Sequence, residues 1–276
     1  MELTPIEAAN YASDVYYKVK DKNRDSLASS RFNQISADYI RSTIGYPKKN
    51  FDTESVHTSF LFETAAGVES YVEIRKGKLI IAIAGSNSWQ DWVFNTGYLM
   101  RVLRQEASRI LGLREREEFK GYRMAYQTLG GYILNYINTY DDLVKEGIVD
   151  PITSAAVIGH SAGGMIANHV ARSVDRYFSK DKDFRTQLFT FAAPVVYESE
   201  KAIDNLETTA DTGDRIDIKR YVMANDLVSQ ALPFFLKKEQ KFTTVLPAVS
   251  LKKRPHQMSN FVAQIKDKYK VSMPSE

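Results

Sequence analysis

The chain contains no cysteine. That excludes structural disulfides, thiolate zinc sites and a cysteine nucleophile together. Histidine is scarce, with four residues, so chemistry that needs an imidazole base has few sources. No sign of charge dominates: 37 Lys and Arg face 34 Asp and Glu, a net +3. That balance is too mild to argue for nucleic acid as a partner. No apolar run reaches the roughly 18 residues that a membrane-crossing helix needs. The start, "MELTPIEAANYASDVYYKVKDKNRD", has no apolar h-region and no small-residue cleavage site, so it does not read as a secretory signal. The expectation is a chain made in the cytoplasm. Any export would use a route that reads no such signal.

What remains is ordinary globular material. The chain has 276 residues, 43% of them hydrophobic, which is enough for one large α/β domain with a substantial core. The expected domain is 1–276, with 1–57 as an N-terminal helical extension and 88–118 as an insertion. Thr4, Pro5 and Glu7 read as a helix start with a T-x-x-E capping box, so a helix is predicted over 4–20. From Thr58 the period changes, and "TSFLFETAAGVESYVEIRKGKLIIAIAGS" reads as three strands, two joined at Lys76-Gly77. Leu79 to Ala84 is apolar throughout, as for a strand buried on both faces. Residues 120–146 read as a long helix, broken or thinned at Gly130-Gly131. Strands are predicted over 153–159, 187–194 and 215–224, with helices over 162–178 and 257–270. Residues 229–255 read as loop-rich. Alternating strands and helices predict a mostly parallel central sheet flanked by helices.

The chemistry starts at "AAVIGHSAGGMIANHVA", residues 155–171. It reads strand, tight turn, helix, with Gly159-His160-Ser161-Ala162-Gly163 at the turn. In a G-x-S-x-G turn the serine is raised above the sheet edge, and the glycines are needed because the backbones pack too closely for a Cβ. A plain strand-to-helix turn is the bland alternative. A serine hydroxyl is a weak nucleophile and needs an adjacent base. In hydrolases with this turn the chain order is serine, acid, histidine. Asp226 lies just past the carboxyl end of "RIDIKRYVMA", where active groups of parallel sheets collect. Asp217 sits in that strand's first half, at the wrong end. His256, in "KKRPHQMSNF", is the one histidine downstream of Asp226. His57 precedes the serine, His160 adjoins it, and His169 is two turns into the following helix. An oxyanion hole needs two donors. The N–H of Ala162 is one, and Ser86 in the Gly85-Ser86 strand-end turn offers the other.

Several segments, in this order, resemble the class 3 lipases of the α/β-hydrolase superfamily: "IAIAGSNSWQDW", "FKGYRMAY", "AAVIGHSAGG", "LFTFAAPVV", "YVMANDLVSQALP" and "HQMSNF". The resemblance covers roughly 58–262. It departs from the family where Ala84 replaces an arginine before Gly85-Ser86 and where Ala192 replaces the first glycine of "FGAP". The resemblance implies the α/β-hydrolase fold, a catalytic triad of Ser161, Asp226 and His256, a hole of Ser86 and Ala162, and no metal or cofactor. It also implies a lid after the oxyanion strand, here "SWQDWVFNTGYLMRVL" with Trp89, Trp92 and Phe94, both of the chain's tryptophans among them. A core-packing helix is the alternative for that segment. The implied activity is that of a serine ester hydrolase on lipid, a lipase or phospholipase A, with peripheral membrane contact through the lid. The basic runs "LKKEQKF" and "LKKRPH" read first as a solvated charged loop, with attraction to anionic headgroups as the alternative. A non-catalytic lipid-binding homologue and an acyltransferase with the same triad are the competing readings. "LTPIEAANYASDVYYKV" resembles the start of bacterial phospholipase effectors, which implies an immunity or chaperone partner.

Overall fold

The computed structural model describes residues 2–20, 57–63, 69–85, 120–193, 216–226, 243–250 and 256–270. Its elements run α1 (Pro5–Lys20), β1 (His57–Glu63), β2 (Glu69–Arg75), β3 (Lys78–Ile83), α2 (Lys120–Lys145), β4 (Ser154–His160), α3 (Ala162–Tyr177), β5 (Arg185–Phe191), β6 (Ile216–Met223), β7 (Thr243–Leu246) and α4 (Met258–Lys270). The strands form one sheet in the order β1-β2-β3-β4-β5-β6-β7. β1, β2 and β3 pair antiparallel; from β3 to β7 every pair is parallel. Lys76 and Gly77 both take positive φ between β2 and β3, the geometry of a two-residue hairpin whose twist matches the strands.

The pleat sorts the apolar strands onto two cores. Leu79, Ile81 and Ile83 of β3 and Ala155 and Val157 of β4 face α2 and α3. Ile80 and Ala82 of β3, with Ala156 and Ile158 of β4, face the other way, onto α1 and α4. Burial on both faces is why these strands carry no polar alternation. The α1 helix starts at the capping box read from the sequence. The Thr4 hydroxyl accepts the Glu7 N–H at 3.3 Å, and the Glu7 carboxylate accepts the Thr4 N–H at 2.8 Å. The buried Ala8, Ala9, Ala12 and Val15 then lay α1 on the sheet. Small side chains allow that close approach.

Two elements depart from expectation here. The α2 helix is not broken at Gly130-Gly131 but runs unbroken through it. The reason is one of magnitude. Two glycines cost a helix about 1 kcal/mol each. Leu129, Ile133, Tyr136, Ile137, Tyr140 and Leu143 form one buried stripe, and each such side chain contributes about 1.5–3 kcal/mol by burial. The other departure is β7, a short strand unread within 229–255, a segment read as loop-rich. Only four residues long, it pairs Thr243–Leu246 beside Arg220–Met223. One buried residue, Leu246, gives it too little apolar pattern to be seen from sequence, and Val245 stays 59% exposed.

Candidate active site

The site forms where β3, β4 and β6 end, at the carboxyl edge of the parallel sheet. β4 delivers Ser161 with φ 54° and ψ −127°. A residue with a Cβ is strained in that region by about 1–3 kcal/mol. Two backbone bonds hold it there: the Ser161 N–H donates to the Phe191 carbonyl, and the Gly164 N–H donates to the Ser161 carbonyl, both at 2.9 Å. Serine at the start of a helix commonly caps it, yet Ser161 makes no such side-chain bond. Its hydroxyl is turned to another partner. Ala162 is the first residue of α3, so its N–H belongs to the first-turn donors that have no acceptor within a helix. That N–H lies at the positive end of the helix dipole.

The turn is tight because the chains nearly touch. A Cβ on Gly163 would meet the backbone carbonyl oxygen of Ile83 at 2.5 Å and would also strike that of Ala84. One on Gly159 would run into the backbone of Gly163 and Gly164. Backbone at the end of a strand held between two neighbours cannot yield as a flexible side chain can. Gly163→Ala should therefore destabilise the fold by about 3 kcal/mol or more, a fall of roughly 6–12 °C in Tm. Gly131→Ala is the matched control, because nothing lies within 4 Å of its added Cβ. It should raise stability by about 0.5–1 kcal/mol. Thermal unfolding of the two variants checks both signs.

Asp226 follows the end of β6, in a turn closed by its N–H donating to the Met223 carbonyl at 3.1 Å. Its neighbour Asn225 grips both backbone groups of Val249, which ties this turn to the segment after β7. The Asp226 side chain is 1% exposed. Both of its carboxylate oxygens lie near His256 Nδ1, at 3.1 and 3.0 Å. A carboxylate only accepts, so Nδ1 carries the proton. The other ring nitrogen, Nε2, is then the acceptor and lies 2.7 Å from Ser161 Oγ. His256 comes from the residues just ahead of α4, and its side chain is 31% exposed. A base on the site's open side can meet substrate, while the buried acid cannot.

The order of the chain thus brings Ser161, His256 and Asp226 into one hydrogen-bonded row. Ala162 stands beside them. Ser86, Trp89, Trp92 and Phe94 lie outside the described residues, as do 88–118 and the two basic runs up to Arg254. Gly85, just ahead of Ser86, is described. Its added Cβ would lie 2.9 Å from Ser161 Cβ, so the end of β3 abuts the serine. Asp217 stays at the far end of β6, ion-paired with Lys219. His169 is carried away along α3, and His57 opens β1.

One part of the site was not foreseen. His160, which adjoins Ser161 in sequence, is buried at 6% exposure behind the row. Its Nε2 lies 2.9 Å from the His256 carbonyl oxygen and its Nδ1 lies 2.6 Å from the Tyr16 hydroxyl. Burial, with the neighbouring His256 ring second, pushes its imidazole down to about 3.

The family model for lipase (class 3) matches residues 80–236, more than half of the chain. The chain belongs to the class 3 lipases. The matched span holds the Ser161 turn and Asp226, and His256 lies beyond it. Solved structures similar to this class 3 lipase include a lipase from Rhizopus microsporus var. chinensis, at 13% identity and a TM-score of 0.47, covering 88% of this chain and 74% of that one. A triacylglycerol lipase from Penicillium expansum is similar at 11% identity and a TM-score of 0.46, covering 87% and 77%. The Rhizomucor miehei lipase in its propeptide complex is similar at 16% identity and a TM-score of 0.45, covering 82% of this chain and 61% of that one. No curated protein matches the chain. Family membership makes this chain a lipase-type hydrolase of the α/β-hydrolase fold, and the sheet agrees with its mostly parallel strands and helices on both faces.

Proposed function

We propose that this class 3 lipase cleaves carboxylic esters of lipids through an acyl-enzyme on Ser161. The observation that carries the reading is the row Ser161 Oγ, His256 Nε2, His256 Nδ1 and Asp226, with bonding distances at each step. His256 Nε2 takes the hydroxyl proton as Oγ attacks the ester carbonyl. The imidazolium that forms is stabilised by Asp226, which also holds the ring in the tautomer with Nδ1 protonated. The oxyanion of the tetrahedral intermediate is met by the Ala162 N–H and by Ser86. His256 then returns its proton to the leaving alcohol. Water, deprotonated by the same nitrogen, attacks the acyl-enzyme and releases the acid. No step draws on a metal or cofactor. The apolar segment 88–103 is read as the lid that admits the acyl chain and meets the lipid surface. Acylglycerols and phospholipids share the ester that this machinery cleaves.

A fluorophosphonate probe tests the nucleophile. It should modify the native protein once, at Ser161, as located by peptide mass spectrometry. A native protein that stays unlabelled would favour the non-catalytic reading. Mass spectrometry of the lipids released from a mixed membrane extract, beside emulsified triacylglycerol, then assigns the substrate. Free fatty acid with lysophospholipid marks a phospholipase A. Diacylglycerol marks a triacylglycerol lipase. Transfer of the acyl group to an alcohol in place of water marks an acyltransferase.

A further inference from the structure

The Tyr16 hydroxyl joins two parts of the site that are far apart in sequence. It accepts the backbone N–H of Gly85 at 2.7 Å. It lies 2.6 Å from His160 Nδ1. On the far side of the same ring, Nε2 lies 2.9 Å from the His256 carbonyl oxygen. A carbonyl oxygen can only accept, so Nε2 carries the ring's proton. Nδ1 of the neutral ring is then an acceptor, and the Tyr16 O–H must donate to it. Every donor and acceptor along the chain is fixed: Gly85 N–H to Tyr16 oxygen, Tyr16 O–H to His160 Nδ1, His160 Nε2–H to His256 C=O.

We propose that Tyr16 is a positioning residue for the reaction, holding the residue before the oxyanion turn and the backbone of the general base in one register through His160. The proposal rests on the reading of Ser161, His256 and Asp226 given above. His256 is thereby held at three atoms: Nδ1 by Asp226, Nε2 by Ser161, and its own carbonyl by His160. Gly85, two residues past β3, abuts Ser161, so the same hydroxyl sets the distance between Ser161 and the backbone of Gly85. The ring must also be neutral to do this. The His160 and His256 ring centroids are 5.1 Å apart, and two charged imidazoles at that distance would repel. Burial keeps the His160 ring uncharged, which leaves His256 free to take the positive charge during reaction. Burial likewise raises the Tyr16 hydroxyl far above its ordinary value, so it stays protonated and able to donate.

Tyr16→Phe removes one oxygen and keeps the ring. It should lower kcat on a short-chain ester about 10- to 100-fold with KM within about twofold, since misplaced groups slow chemistry more than binding. Tyr11→Phe removes the matching oxygen from the same helix, where the hydroxyl meets Glu73 instead, and should leave kcat unchanged. Ser161→Ala is run beside them. A dead Ser161→Ala with a wild-type kcat in Tyr16→Phe overturns the role of Tyr16 alone. An active Ser161→Ala overturns the reading of the site, and the role of Tyr16 with it. An equal loss of kcat in Tyr16→Phe and Tyr11→Phe also overturns it, because the effect then belongs to the helix. Should Tyr16→Phe fail to fold, the native protein still decides. Nitrogen-15 spectra of histidine-labelled protein should show His160, assigned with His160→Gln, neutral and protonated at Nε2 from pH 5 to 8. Protonation at Nδ1, or titration in that range, overturns the proposal.

Discussion

Ser161→Ala should lose ester hydrolysis by on the order of 10⁵- to 10⁶-fold in kcat while remaining folded. The magnitude follows from what is removed. Without Oγ there is no acyl-enzyme, and only the oxyanion donors and substrate binding remain to help water attack. Stability should hardly move. Alanine keeps the Cβ, so the strain at φ 54° and ψ −127° persists, and the hydrogen bond removed among the described residues is the hydroxyl's to His256. A single bond of this kind contributes about 1 kcal/mol. Ser161→Gly separates strain from chemistry. Glycine takes positive φ without penalty, so this variant should be as inactive as Ser161→Ala yet melt above it. The comparison uses initial rates on p-nitrophenyl esters and thermal unfolding of the same preparations. Residual activity above about one part in a thousand would assign the nucleophile elsewhere. A Ser161→Gly that melts below Ser161→Ala would show that the turn stores no strain at this residue.

The parts of the site that were legible in the sequence are those governed by chain order. Ser161 lies at a strand-to-helix turn, Asp226 at a strand's carboxyl end, and His256 is the remaining histidine in order. Topology alone brings such residues together, because parallel strands present all their carboxyl ends on one edge. Tyr16 and His160 were not legible, for different reasons. Tyr16 shares the helix face of Ala12 and Val15, so its spacing reads as core packing, and its contact partner is 144 residues away. A tyrosine with a polar end among small alanines is the only local sign that it reaches a partner. His160 adjoins the serine, and adjacency argued only that it could not serve as the base. That logic says nothing of the backbone carbonyl behind it. In the fold, the intact α2 helix and the short β7 strand mark the same limit. Glycine propensity is local and small beside a buried stripe, and a four-residue strand owes its existence to its neighbour β6 rather than to its own pattern.

Asp226→Asn carries the second large effect, a fall of about 10⁴-fold in kcat. The shape of the side chain is kept, so packing at this buried turn should survive. What changes is the proton on His256. An amide can turn its NH₂ toward Nδ1, which then accepts, and the ring's proton moves to Nε2. That nitrogen would face Ser161 Oγ as a donor and could no longer take the hydroxyl proton. The positive charge that develops on the imidazole would also lose its counter-charge at 3.0 Å. Binding of the acyl chain involves neither effect, so KM should stay within about threefold. Fluorophosphonate labelling of Ser161 should slow in parallel with kcat, since both need an activated hydroxyl. Asp217→Asn is the matching control. That residue pairs with Lys219 in the first half of β6, away from the row, and its loss should leave both rates unchanged. If Asp226→Asn retained a tenth of the native rate, another group would have to orient His256. If Asp226→Ala were as slow as Asp226→Asn, the loss would come from the missing carboxylate charge and orientation, and not from a wrongly placed amide proton. If Asp226→Ala were faster, the amide's inversion of the tautomer would be the larger part of the effect.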